Sequence, residues 1–368
     1  MQESVNRLLV LLGLVLAFSL IAVSCGSDDG AAPAAPAVAT QAPEPEATEQ
    51  QAVEILQGRT LQRVLERGYV LCGSRDDLPG FAAVQPDGTY VGFDIDMCRV
   101  VAAAVLGDAE AVEIVPVTSA ERFTALQAGQ FDVMNRNTTW TATRDGVESA
   151  NFLFTTYFDG QGMMVPASSG LTTLEDLADA SICVSTGTTT ELNLSAVLNA
   201  RGITFTPIPF EGFDTLVPAY EEGQCEAMTA DSSALGVFKF EIEDKGGEEQ
   251  HIMSEVFSKE PLGPVVLDGD TEWAQVVNWA IMATVQAWEF GLNSTNVTSY
   301  AGNDPNIENF LGGIDPELGL PTDFAVQVVS QVGNYEEIFN SHPQLGTLSG
   351  SVNDLWTNGG LMYVPPYR

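Results

Sequence analysis

Strand-length apolar runs alternate with helix-patterned segments twice over between residues 69 and 231, and no other feature limits the fold so strongly. "YVLCGS" (69–74) reads as a strand, "DIDMCRVVAAAVLG" (94–107) as a helix closed by Gly107, and "VEIVPVT" as a strand. "SAERFTALQAG" follows as a helix capped by Ser119 and stopped at Gly129, then "FDVMNRN" as a strand. The same grammar returns with "TTLEDLADA" (helix), "SICVST" (strand), "TTTELNLSAVLNARG" (helix), "TFTPIPF" (strand), "FDTLVPAYEEG" (helix) and "CEAMTAD" (strand). Strands alternating with helices predict a mainly parallel sheet covered on its faces by the crossover helices, so two rounds predict two α/β lobes. A long helix from Thr271 to Gly291 presents Trp273, Val277, Ala280, Ile281, Thr284 and Trp288 on one stripe, which suits core packing. "NIENFLGG", "DFAVQVVSQVGNYEEIF" and "VNDLWTNGG" are expected to be helical and to wrap the first lobe.

Charge narrows the partners. With 14 Lys+Arg against 50 Asp+Glu, and lysine only at Lys239, Lys245 and Lys259, the chain lacks the clustered cations that phosphate neutralisation needs, so nucleic acid is not a partner. The acidic excess itself reads as a solvated surface.

Residues 8–23, "LLVLLGLVLAFSLIAV", are apolar over a length that suits a signal peptide better than the roughly 20 residues of a membrane span. "AVSC" then ends at Cys25 and resembles a lipoprotein signal, with cleavage ahead of the cysteine and lipid on its sulfur. An uncleaved anchor helix is the alternative, and either places the body outside the cytoplasm. The expected division is a signal peptide over 1–24, then the lipidated Cys25 and a disordered tether over 25–54. The tether is Ala, Pro and acid and has nothing with which to build a core.

Removing Cys25 leaves Cys72, Cys98, Cys183 and Cys225. An exported setting favours disulfides, and the preferred pairings are Cys72 with Cys98 and Cys183 with Cys225, each joining neighbouring elements of one lobe. Four buried free thiols are the alternative.

Ligands of open α/β sheets gather at the carboxyl ends of strands. Three such ends are polar here: "NRNTTWTATRD", "STGTTTE" and "TADSSA", the first in one lobe and the others in the second. Arg144 offers a planar, permanently charged fork for a carboxylate, and Thr138 and Thr139 add hydroxyl donors. Gly187, Thr188 and Thr189 open a helix whose N–H groups can meet the same anion. Asp231 accepts only, and so suits an ammonium. A carboxylate holder facing an ammonium holder describes a zwitterion, of which free amino acids are the commonest small examples. Taken singly, these residues have plainer roles: Arg144 in an exposed pair with Asp145, Asp231 as a helix cap, the threonines as caps.

At these residues the body, roughly 55–368, resembles the type II substrate-binding proteins of ABC importers, in the polar amino-acid family and nearest its general L-amino-acid-binding branch. The likeness is carried by "GFDIDMCR", "ERFTALQAGQFDV", "RNTTWTATRD", "YFDGQGMMVP", "GTTTELNL", "SKEPLGPVV" and "NDLWTNGGLMYVPPYR". It implies a two-lobed type II periplasmic-binding fold with two hinge strands, near "GQGMMVP" and "FSKEPLGPVV", and a ligand cleft between the lobes. Lobe 1 then spans 55–162 and 257–368, and lobe 2 spans 163–256. It also implies that Arg144 grips the ligand's carboxylate with help from Thr139 and the backbone near Asn137. Thr188 and Thr189 contact that carboxylate from the second lobe, and Asp231 takes the ammonium. Many relatives stack an aromatic side chain on the ligand after the first strand. Here Leu78 stands at that point, with Phe81 a possible substitute, which tilts towards a tolerant pocket.

The implied partners are free L-amino acids, the permease subunits of an ABC transporter, and a membrane held through the lipid anchor. A monomer is expected, with no cofactor and no metal. Enzymes on the same fold, such as cyclohexadienyl dehydratases, and ligand-sensing modules are the rivals. Against catalysis, His251 and His342 are the only histidines and neither falls in a strand-end cluster; Glu191 is the one suspect acid, with a plainer role in its helix's first turn.

Overall fold

A computed structural model describes residues 59–315 and 317–367 of the chain. The leader, Cys25 and the whole of the tether lie outside the described residues. The two expected lobes are present as two five-stranded sheets of matching plan. In the first, Val112–Pro116, Val70–Ser74 and Val133–Met134 run parallel, and Val265–Leu267 and Ala150–Phe152 follow. In the second, Thr206–Phe210, Ser181–Ser185 and Ala227–Asp231 run parallel, and Gln161–Pro166 and Gln250–Ile252 follow. The fourth strand of each sheet is antiparallel to both its neighbours. Both are strands that have just crossed from the other lobe.

The crossing itself is a two-stranded ladder outside both sheets, with Tyr157–Asp159 antiparallel to Glu260–Leu262. The return crossing falls inside "FSKEPLGPVV"; the outward one falls just before "GQGMMVP", whose residues already belong to the second sheet. The C-terminal segment holds the hinge strand from outside: Phe158 N–H donates to Asn353 Oδ1 (2.7 Å), and Asn353 Nδ2 donates back to the Phe158 carbonyl (3.1 Å).

Local rules account for most elements. Helix Phe93–Leu106 ends where Gly107 adopts a left-handed φ of 69° and its N–H returns to the Ala103 carbonyl. Helix Thr271–Glu289 is capped by Asp270, whose carboxylate accepts the Trp273 N–H (3.1 Å); Trp273, Val277, Ala280, Ile281 and Thr284 of its expected stripe are buried, and Trp288 is half-buried. Each such side chain contributes roughly 1.5–3 kcal/mol on leaving water. Helix Phe324–Gln331 packs on both of these helices, so the C-terminal helices do cover the first lobe. Both preferred disulfides form: Cys72–Cys98 ties a strand to a helix in the first lobe (Cα–Cα 6.0 Å), and Cys183–Cys225 ties strand Ser181–Ser185 to the connection that leads into strand Ala227–Asp231 in the second (5.6 Å).

Some expectations need correction. Ser119 is not the cap of its helix. That helix begins at Arg122, and Thr118 serves its first turn by accepting the Glu121 N–H (3.2 Å), which leaves Ser119 free to face the cleft. "TTLEDLADA" makes only a 3₁₀ turn over Leu174–Leu177, and "VNDLWTNGG" only one over Trp356–Asn358. Four residues satisfy a capping box in the first case, and the glycine pair stops propagation in the second. "DFAVQVVSQVGNYEEIF" breaks into two helices because Gly333, at φ 115°, leaves helical space and Asn334 starts a new capping box with Glu337.

Candidate ligand-binding site

The carboxyl end of every parallel strand in both sheets contributes to the wall of one buried cavity of about 30 Å³. The first sheet supplies Arg75 after Val70–Ser74, Ser119 and Arg122 after Val112–Pro116, and Arg136, Asn137 and Thr139 after Val133–Met134. The second supplies Ser185, Thr188, Thr189 and Thr190, then Phe213, then Ala230 and Asp231. Of the residues singled out in the sequence, Asn137, Thr139, Thr188, Thr189 and Asp231 thus meet on one wall. A water needs roughly 10–15 Å³ of such space, so the closed cavity has room for about two, and an amino acid enters only when the lobes part.

The lobes touch across this cavity through polar groups. Thr139 and Thr189 share a hydrogen bond between their hydroxyls (3.3 Å), Asn137 Nδ2 donates weakly to Asp231 Oδ2 (3.5 Å), and Arg122 Nη2 donates to the Gly187 carbonyl (3.3 Å). A further contact joins Asp77 to helix Phe213–Glu221: Asp77 Oδ2 accepts the Phe213 N–H at 2.7 Å. Asp77 is also paired with Arg75 Nε (2.6 Å), and the Arg75 guanidinium lies 4.5 Å from the centre of the Phe213 ring. Gly187 is required at its place, because at φ 69° a Cβ there would stand 2.9 Å from the Ala120 Cα of the facing lobe.

Arg144 sits just behind Thr139. Its Nη1 donates to the Thr139 carbonyl (2.8 Å), its plane lies over Phe123, and its N–H is received by the Thr141 hydroxyl that caps its helix. It is buried and makes no ion pair with Asp145. Asp231 does not cap the helix it precedes; its carboxylate faces Asn137. Thr188 is both cap and cavity wall, accepting the Glu191 N–H (3.1 Å). Glu191 in turn takes the Gly187 N–H (2.9 Å), the plainer of its two expected roles, so this donor is already engaged. The Asn137 N–H is likewise engaged, by Asp94 Oδ2 at 2.6 Å, which holds Asn137 at a left-handed φ of 34°. Leu78 is fully buried in the core and does not reach the cavity, and Phe81 packs against Phe93 and Tyr157. The aromatic face on the wall belongs instead to Phe213, from the second lobe.

Arg75, Ser119, Arg122, Arg136 and Ser185 were not assigned to the site from the sequence, although Arg136 and Ser185 stand inside two of the polar strand ends singled out there. The signal was available: the rule that ligands collect at strand ends applies equally to "SRDD" after the first strand and "TSAER" after the second. Among the described residues Arg122, Arg136 and Arg144 have no carboxylate within 4.0 Å, although all three are buried. Burial pushes each of them below its ordinary pKa, and for Arg122 repulsion from Arg144, Arg136 and Arg75 adds to it. A guanidinium stays protonated in proteins, and carboxylates beyond ion-pair distance act on two of these: Asp77 and Asp94 on Arg136, Glu260 and Asp231 on Arg144. Asp231 is pushed well above the usual carboxylate range by burial and then by Asp159 and Glu260, against the attraction of Arg75 and Arg144.

Comparison with known proteins fits this geometry. The profile of the bacterial extracellular solute-binding proteins, family 3, matches residues 70–290. The general L-amino acid-binding periplasmic protein AapJ of Rhizobium johnstonii is 41% identical over 318 residues, covering 84% of this chain and 93% of that protein. The glutamate/glutamine/aspartate/asparagine-binding protein BztA of Rhodobacter capsulatus is 41% identical over 317 residues, with the same coverage of 84% and 93%. Among solved structures, an ABC transporter periplasmic binding protein from Brucella ovis with glutathione bound matches with a TM-score of 0.79 at 38% identity, covering 84% of this chain and 99% of that one.

Proposed function

The chain belongs to the bacterial extracellular solute-binding proteins of family 3, and on that premise we propose that it captures free L-amino acids between its lobes and hands them to an ABC-type permease. The observation that carries this role is the meeting of Asn137, Thr139, Thr188, Thr189 and Asp231, drawn from both lobes, on a single cavity wall. Arg144 and the threonines beside it hold the ligand's α-carboxylate, and Asp231 holds its ammonium. Both charged groups are supplied from strand ends, so closing the hinge brings them to the ligand and removes water, which strengthens every polar contact. Four or five charge-assisted hydrogen bonds at roughly 1.5–3 kcal/mol each, less the cost of immobilising the ligand, reach the about −8 kcal/mol of a micromolar complex.

The protein acts here as a binder and not as an enzyme, as a monomer, carried outside the cytoplasm on a lipid attached to Cys25. Thermal-shift measurement against the twenty L-amino acids tests the role: a true ligand at 100 times its Kd stabilises the fold by about 2.7 kcal/mol. A flat response to all twenty would sink it. Turnover of prephenate-like acids would support the enzyme instead. Replacing Cys25 with serine should release the protein from membranes, and continued membrane association would count against the anchor.

A further inference from the structure

Glu260 is a buried acid without a countercharge beside it. It stands on the return hinge strand, Glu260–Leu262, opposite Asp159 of the outward one, and is 1% exposed. Among the described residues no arginine, lysine or histidine comes within 4.0 Å of its carboxylate. Burying a carboxylate is costly unless hydrogen bonds replace its water, and here the donors are neutral. Oε2 accepts the Thr189 hydroxyl (2.9 Å), and Oε1 accepts Asn193 Nδ2 (2.9 Å) and the Ser258 hydroxyl (2.5 Å).

Two of these partners belong to the helix that lines the cleft from the second lobe. Thr189 and Asn193 are one turn apart on helix Thr189–Ala200, so the two carboxylate oxygens grip its first turn. Gln161, fully buried just past the outward crossing, holds the same turn through its Nε2, which donates to the Thr190 carbonyl (2.9 Å). The Gln161 N–H donates to the Ser258 hydroxyl (3.0 Å), which in turn donates to Glu260. Both chain crossings are thereby fastened to the turn that places Thr188, Thr189 and Thr190 on the cavity wall. A carboxylate only accepts, so the Thr189 proton points towards the hinge, and in the bond between the lobes (3.3 Å) Thr139 is the donor. Thr189 then offers the cleft its N–H, which at the first position of the helix has no partner within it.

We infer that Glu260 is a positioning residue for ligand capture: from the hinge it fixes the first turn of helix Thr189–Ala200 and, through the Thr189 hydroxyl, the bond by which the lobes meet at Thr139. This rests on the amino-acid-binding role proposed above. Glu260 is not on the cavity wall and acts through Thr189. Its charge also bears on the ammonium end of the site. Asp231 is faced by Asp159 from the outward crossing, by Glu260 from the return one, and by Arg75 and Arg144 from the first lobe. Burial and then the two acids raise its pKa, against the pull of the two arginines, so removing the Glu260 charge lets Asp231 stay ionised to lower pH.

Calorimetry on the full-length protein tests this with L-glutamate and L-glutamine as probes, or, where neither binds, whichever other L-amino acid raises the thermal midpoint most. Glu260→Gln keeps the volume and removes the charge. It should weaken binding at pH 8 about tenfold, as loss of a charged hydrogen-bond acceptor does, and the fall in affinity on acidification should begin at lower pH than in the unaltered protein. Thr189→Val removes the hydroxyl alone and should also weaken binding. The double variant should bind no more weakly than the poorer of the two single ones, because both changes break the same link. Losses that multiply would overturn the inference, as would unchanged affinity or an unmoved acid limb in folded Glu260→Gln protein. Should that variant not fold, Asn193→Ala releases part of the same grip and should weaken binding about threefold; unchanged affinity there overturns the inference too. An unaltered protein that binds none of the twenty would remove the amino-acid role itself, and the inference with it.

Discussion

Replacing Asp77 with alanine should loosen the closed state and weaken ligand binding by about 5- to 30-fold. Burial alone would raise the pKa of this carboxyl, but attraction to Arg75 and hydrogen bonds from Arg75 and the Phe213 N–H overcome it and bring it down to about 2. Set against its ordinary value of 3.8, the shift corresponds to about 2 kcal/mol in favour of the ionised form. Not all of that concerns closure. Arg75 and Asp77 are on the same lobe, so their pair survives opening, whereas the 2.7 Å bond from the Phe213 N–H to Asp77 is made only when the lobes meet. The crossing share, a charge-assisted bond at a helix N-terminus, is therefore about 1–2 kcal/mol, and at 1.4 kcal/mol per decade this gives the stated range. Because the pKa is depressed, the latch is at full strength above the unshifted value and fades only as pH falls towards about 2, so the effect should be flat between pH 5 and 8. Calorimetry gives the affinity and small-angle scattering the fraction closed. Unchanged affinity together with an unchanged closed fraction would refute the latch.

Arg144→Ala should weaken amino-acid binding by about 2–5 kcal/mol, because the ligand's carboxylate would be left without its cation in a dry cleft; near-normal affinity by calorimetry contradicts this. Binding should release protons. Burial, Asp159 and Glu260 hold Asp231 above the usual carboxylate range, and an ammonium favours its ionised form, so affinity is complete above the free protein's pKa and falls about tenfold per pH unit below it. Identical binding heats at pH 5 in buffers of different ionisation enthalpy would rule that coupling out. Replacing Cys72 and Cys98 together with alanine should cost about 3–4 kcal/mol, since the bridge spans 26 residues of sequence and its loss frees that loop in the unfolded chain. Denaturant unfolding with an unmoved midpoint would show that the bridge adds nothing.

How much could be read in advance follows the range of the interactions involved. The two α/β rounds were legible because strand length and helical periodicity are local, and Gly107 and Asp270 mark their helices by rules that span a few residues. That Asp231, Thr139, Thr188 and Thr189 would come together on one cavity wall was legible because all four lie at strand ends. Ser119 was misjudged because a capping serine and a cleft-facing serine look alike until Thr118, one residue earlier, is seen to do the capping. Arg122 and Arg136 stayed hidden for a different reason: what marks them is that, buried as they are, neither has an ion-pair partner, a fact about residues far apart in sequence. Leu78 shows the limit of positional likeness, since the place an aromatic would take in relatives is here turned into the core while Phe213 fills the wall from the opposite lobe.

The central claim is that opposite ends of one amino acid are held from opposite lobes, the carboxylate by Arg144 and its neighbouring threonines and the ammonium by Asp231. A crystal structure of the protein with a bound amino acid tests it most directly. The account predicts the Arg144 guanidinium and the Asp231 carboxylate each within hydrogen-bond distance of the ligand, about 2.7–3.2 Å. A bound ligand with either side chain turned away from it would contradict the account.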